Sequence, residues 1–178
     1  MPSDAPRIPR PVGMALRPLP LLPLSRFLQS VTTRMIKDHP DMLRRLGDYA
    51  GRRFLIDITD LPYVLLLCPA PGRMSAHRRG AAPEHDVRLA GPLSHFLAMM
   101  HGAEDGDALF FSRDLTVEGD TSAALALRNA MDDAELDLTE ELAALSGPFA
   151  SAMREACARA ERFTGLHLHR TDPFGELI

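Results

Sequence analysis

The spacing of apolar positions divides the chain into a proline-punctuated start, a strand-rich middle and a helical second half. Leu28, Val31 and Met35 fall on one stripe, which predicts a helix through about Ile36 with Ser25 as its cap. A second helix follows His39-Pro40, with Met42, Leu43 and Leu46 as its apolar face, and Gly51 ends that region. Phe54, Ile56 and Ile58 then alternate with Asp57 and Thr59, the period of a half-buried strand. The run Tyr63 to Cys68 is apolar on both faces and predicts a central strand covered on both sides. RMSAHR and HDVRLA are more polar strand candidates around the loop RGAAPE. Leu93, Phe96, Leu97 and Met100 share a helix face after Gly91-Pro92. DLTVEGD predicts a strand, and Asp120 or Thr121 caps a long Ala-rich helix carrying Leu127 and Met131 on one stripe. A last amphipathic helix runs from about Pro148 to Phe163, and GLHLHRTDPFGELI resembles a tail.

Strands joined by short turns favour antiparallel pairing, so the order helix, helix, four strands, helix, strand, helix, helix predicts an α+β fold with helices on one curved sheet. The domain division is a Pro-rich, basic arm over 1–23, a folded domain over 24–165 and a tail over 166–178. Seven of the 15 prolines fall within the first 23 residues, so that segment reads as extended. Its proline-broken LRPLPLLPL does not read as a secretory signal. The leucines there, with Arg10, Arg17 and Arg26 between them, read either as a tail packed on its own domain or as an arm lying on a membrane surface.

Charge sharpens that choice without settling it. Residues 1–53 carry ten basic and four acidic side chains, whereas the rest carry ten basic and twenty acidic. A basic third on an acidic protein argues against nucleic-acid binding and is compatible with anionic lipid headgroups. The longest apolar run, 63–68, is too short to span a bilayer. The two cysteines, Cys68 and Cys157, cannot form a disulfide framework, and Cys68 reads as a small buried hydrophobe in a reducing, cytoplasmic compartment.

Candidate chemistry is sparse. His167 and His169 would share a strand face, but no third ligand lies at metal spacing. His77 and His85 flank a loop and could meet across a hairpin, and His95 and His101 are six apart on a helix. Neither a nucleophile elbow nor a phosphate-binding glycine loop is present. Six acids lie within residues 132–141, which reads as a solvated helix end or a docking surface for a basic partner. No catalytic residue, metal or cofactor is assigned. What remains is apolar: a strand greasy on both faces, Phe110-Phe111 and Met-bearing helix faces, which make either an ordinary packed core or the wall of a cavity.

The segment DALFFSRDLTVEGDTSAALALRNAMDDAEL, residues 107–136, resembles the sterol carrier protein type 2 (SCP2) domain. It is more closely similar to the UbiT branch of bacterial ubiquinone-biosynthesis accessory factors, through Leu109, Phe110, Phe111, Glu118, Gly119, Asp120, Thr121, Arg128 and Asn129. It departs from that pattern in its Pro-rich start and in Arg113-Asp114, where two basic residues are common. The resemblance implies a five-stranded, mostly antiparallel sheet covered by helices, enclosing a hydrophobic lipid tunnel, with 107–112 as a helical turn. It further implies a non-catalytic factor of oxygen-independent ubiquinone biosynthesis that holds polyprenylated quinone precursors for iron–sulfur hydroxylating partners of the UbiU/UbiV type. It also allows a place in the cytoplasm, peripheral at the inner membrane. The tunnel wall is then expected from Leu65, Leu67, Phe96, Met100, Phe110, Phe111, Leu127 and Met131, with Gly119 and Asp120 or Thr121 in structural roles. Two alternatives stay open: a general lipid or sterol carrier without a quinone role, and an interaction scaffold with a solid core.

Overall fold

A computed structural model describes residues 20–100 and 115–132, single positions at 8, 11, 17, 18, 143, 150, 151, 154, 155, 158, 159 and 162, and only the backbone of Ala98, Met100 and Asp132. Helices α1 (Leu21–Asp38) and α2 (Asp41–Leu46) lead through a short 3₁₀ turn at Gly47–Gly51 into the sheet. Strands β1 (Phe54–Ile58), β2 (Tyr63–Cys68), β3 (Arg73–Arg78) and β4 (Val87–Gly91) follow, then α3 (Leu93–Met100), β5 (Thr116–Gly119) and α4 (Thr121–Asp132).

The five strands lie in the order β3-β2-β1-β4-β5. The short turns make β1–β2 and β2–β3 antiparallel, as their length requires. The longer passage after β3 carries the chain to the far side of β1, where β4 runs parallel to it and only then pairs antiparallel with β5. β1, rather than β2, is therefore the middle strand. The parallel pair is fastened where it begins. Arg53 donates its backbone N–H to Asp86 Oδ2 at 2.7 Å, and Asp86 N–H donates to the Arg53 carbonyl at 2.9 Å.

One sheet face and the helices enclose the core. Phe54, Ile58, Leu65, Val87 and Leu89 project toward Leu46 of α2, Phe96 and Met99 of α3, and Ala123, Ala124, Leu127 and Ala130 of α4. The alanines keep that side of α4 thin, so its backbone can lie close to α2, with which it packs.

Three local expectations are corrected. α1 begins at Leu21, not at Ser25, because Pro23 sits in the first turn, where its missing N–H costs no helical hydrogen bond. Ser25 does not cap the helix; its hydroxyl accepts from Ala76 N–H at 3.0 Å. β1 is not half-buried, since Leu55 and Asp57, on the face away from the helices, are each 2% exposed. Asp57 is charged, and it is tolerated there because Arg79 and Arg88 both donate to its carboxylate, Arg88 at 2.7 Å. Cys68 is half-buried rather than fully enclosed.

Candidate functional site

Between α1 and the sheet lies a cavity of about 340 Å³. Its floor is the helix-facing set of the strand alternation: Ile56 and Ile58 of β1, Tyr63, Leu65 and Leu67 of β2, and Met74 of β3. One wall is α1, through Leu24, Leu28, Val31, Thr32, Met35 and Ile36, continued by Met42, Leu43 and Leu46 of α2. Leu93, Phe96 and Leu97 of α3 and Leu127, Ala130 and Met131 of α4 complete it. No charged side chain lines it among the described residues.

Of the eight residues expected at a tunnel wall, Leu65, Leu67, Phe96, Leu127 and Met131 are brought together around this cavity. The Met100 side chain, Phe110 and Phe111 lie outside the described residues. The expectation passed over the α1 wall and Ile56 and Ile58, although the stripe Leu28, Val31, Met35 marked that helix face and the β1 alternation marked the isoleucines. Four methionines, Met35, Met42, Met74 and Met131, share the lining. Their unbranched, polarizable thioethers adapt to an irregular apolar guest better than branched side chains do.

The α1 wall is held by polar contacts at its outer margin. β3 is an edge strand, and α1 lies along it in place of a sixth strand. Ser25 accepts from Ala76 N–H, Gln29 Oε1 accepts from Met74 N–H at 3.3 Å, and Gln29 Nε2 donates to the Gly72 carbonyl at 2.6 Å. The four-residue spacing of Ser25 and Gln29 puts both on one helix face. α3 is fixed at its start by Asp60, whose Oδ1 accepts from Leu93 N–H at 3.0 Å. α4 is capped by Asp120, whose Oδ1 accepts from Ala123 N–H at 3.0 Å. The turn before it depends on Gly119, at φ +88°, where an added Cβ would come within 2.2 Å of the Asp86 carbonyl oxygen.

Burial pushes the Tyr63 phenol above its ordinary pKa, against a smaller opposing pull from the Arg78 guanidinium. Tyr63 is therefore a neutral donor and acceptor at the cavity surface. Outside the cavity, the Ser75 hydroxyl and His77 Nε2 are 2.8 Å apart on the opposite sheet face, but no carboxylate orients that histidine among the described residues. His77 and His85 do not meet across a hairpin, since β3 and β4 are not paired but have β2 and β1 between them; His85 Nδ1 is bonded instead to the Pro83 carbonyl at 2.9 Å. Among the described residues no three His, Cys, Asp or Glu side chains gather as a metal site, and no helix is long and apolar enough to cross a membrane. His101, Cys157, His167, His169 and the acidic stretch beyond Asp132 lie outside the described residues.

Residues 30–132 match the model of the SCP-2 sterol transfer family. The ubiquinone biosynthesis accessory factor UbiT of Escherichia coli (strain K12) is 31% identical over 87 residues, 49% of this chain and 48% of that protein. The UbiT of Escherichia coli O157:H7 matches to the same extent. The chain thus spans about half the length of the curated relatives it matches. The fold is shared with the solved structure "UbiJ-SCP2 Ubiquinone synthesis protein" at a TM-score of 0.53 and 19% identity, over 66% of this chain and 96% of that one.

Proposed function

Because the chain belongs to the SCP-2 sterol transfer family, we propose that it is a non-catalytic lipid-binding accessory factor of ubiquinone biosynthesis. The observation that carries this reading is the uncharged, methionine-rich cavity between α1 and the sheet. An apolar chain gains roughly 25 cal/mol for each Å² of its surface withdrawn from water. The identity to UbiT supports the quinone pathway as the source of the ligand. The finer reading is that the ligand is a polyprenylated quinone precursor, presented in the oxygen-independent route to UbiU/UbiV-type iron–sulfur proteins. The five expected wall residues that surround the cavity are its contacts. At about 340 Å³ the cavity is near the lower end of small-molecule sites, roughly 300–1,000 Å³. It therefore takes a ring and a short length of chain, and a long tail extends beyond it.

Leu22 is 75% exposed and Phe27 43% exposed on α1, with Arg26 between them. These residues support contact with the surface of the inner membrane on its cytoplasmic side, with the first turns of α1 among the contacting elements.

Native mass spectrometry with lipid extraction of the protein purified from anaerobically grown bacteria tests the reading. Retained isoprenoid quinone or precursor, lost in Leu67→Asp and Met131→Asp variants that keep their circular dichroism, is expected. Phospholipid alone would transfer the reading to a general lipid carrier. A chain that takes up no added quinone or lipid would end it.

A further inference from the structure

The methionines of the cavity differ from the one in the core. Side chains are described for five, of which Met35, Met42, Met74 and Met131 line the cavity, each of them half-buried. The fifth, Met99, packs in the core and is 4% exposed. Water-sized molecules therefore reach the four lining side chains and are kept from Met99.

Three of the four gather at one end. Met74 pairs with Leu67 in the register of β2 against β3. Gln29 ties α1 to the Met74 N–H and the Gly72 carbonyl, and Ile36 Cδ1, two turns further along α1, lies 3.4 Å from where a Cβ on Gly72 would stand. Met35 precedes Ile36, and Met42 is in the first turn of α2, directly after the corner at His39-Pro40. Met131 joins the lining from α4, which packs against α2.

A thioether is the one group in this lining that hydrogen peroxide changes directly. The O–O bond breaks, an S–O bond forms, the sulfur gives up two electrons, and the second peroxide oxygen leaves as water. The product sulfoxide is polar and a hydrogen-bond acceptor. Among the lining residues only the hydroxyls of Thr32 and Tyr63 could donate to it. Four sulfinyl oxygens would then either turn out to water or be buried without partners, and both responses take apolar contact away from a ligand.

We propose that Met35, Met42, Met74 and Met131 are oxidation sites that make ligand binding conditional on the absence of peroxide: with thioethers the cavity holds an apolar chain, and with sulfoxides it releases it. This rests on the lipid-binding reading and adds to it a means of control. An occupied cavity covers the same sulfurs, so the empty carrier is the sensitive form. Methionine sulfoxide reductases reverse the change, two thiols giving a disulfide, water and the restored thioether.

Two apolar probes test the proposal on the full chain: N-phenyl-1-naphthylamine, which fluoresces in apolar surroundings, and decylubiquinone, which displaces it. Peptide mass spectrometry after peroxide treatment should show the four lining methionines gaining one oxygen each, about tenfold faster than Met99. After removal of the peroxide, both probes should bind roughly tenfold more weakly or worse, with circular dichroism unchanged. Saturation with decylubiquinone before treatment should slow oxidation of the same four. A variant carrying Met35→Leu, Met42→Leu, Met74→Leu and Met131→Leu, volume-conserving changes, should show no further loss on peroxide treatment whatever its starting affinity. It keeps every other methionine and both cysteines, so a loss equal to that of the wild type would overturn the proposal. Lining methionines oxidised no faster than Met99, undiminished affinity once their sulfoxides are formed, or loss of the circular dichroism signal on oxidation would each overturn it while leaving the lipid-binding reading intact. An untreated wild-type chain that binds neither probe would remove the lipid-binding reading, and the oxidation switch with it.

Discussion

The Ser25 hydroxyl accepts a hydrogen bond of 3.0 Å from the Ala76 backbone N–H, so a helix side chain satisfies a group that the outermost strand leaves unpaired. Gln29 repeats the arrangement one turn later at Met74 and Gly72. The same contacts shield an otherwise open sheet edge and hold the α1 wall over the cavity. Ser25→Ala and Gln29→Ala should each lower stability by about 1 kcal/mol. They should also speed amide hydrogen exchange at Ala76 and Met74 respectively, more than at the β1 amides. Equal acceleration across the whole sheet would mean global destabilisation instead of a loosened wall.

Asp57 and the cavity occupy opposite faces of one sheet. Asp57→Ala leaves the Arg79 and Arg88 guanidinium groups without their shared carboxylate, but both arginines are partly exposed and can turn to water. A loss of about 2–3 kcal/mol is expected in urea denaturation, below the range for a fully buried pair. Affinity for the apolar probes should be unchanged in the folded variant, because the substituted side chain faces away from Ile56 and Ile58.

Gly119→Ala meets two obstacles at once, a φ of +88° and the Asp86 carbonyl oxygen 2.2 Å from the new Cβ. The entry to α4 must shift, and a destabilisation on the order of 2–4 kcal/mol follows. Thermal melting of the variant against the wild type measures it.

The Arg53 N–H bond, with the nearby Arg53 and Arg52 charges, holds Asp86 below its ordinary pKa despite an opposing contribution from desolvation. A depressed carboxylate contributes stability that is complete above the unfolded value, about 3.9, and is lost as pH falls through the folded value beneath it. The stability difference between wild type and Asp86→Asn should therefore stay constant from pH 7 to 5 and shrink below about pH 4. A difference that fades already between pH 7 and 5 would assign the effect to another group.

The legible parts of this fold were those decided by local pattern. Leu65 and Leu67, two apart on β2, share one face because strand side chains alternate strictly, although a run apolar on both faces does not say which of them meets the cavity. The Leu127 and Met131 stripe did the same for α4. Illegible parts depended on distant residues. Asp57 reads as a solvent-facing residue until Arg79 and Arg88, more than twenty positions away, are brought to it. The parallel pairing of β1 with β4 is set by a path across the sheet that no turn motif encodes. The proline-rich start concealed the first turns of α1 because proline, disruptive within a helix, is acceptable at its beginning.

The meeting of α4 with α2 gives this domain an order of assembly. When a growing chain has emerged from the ribosome only as far as β4, it holds both isoleucines of β1 and the greasy face of β2, yet has neither the Leu127–Met131 wall nor the last strand. Closure waits for contacts some eighty residues apart in sequence, the kind of long-range pairing that slows folding. During synthesis, then, the future binding surface is an open hydrophobic trough, and the interval before α4 arrives is when this chain is most exposed to aggregation.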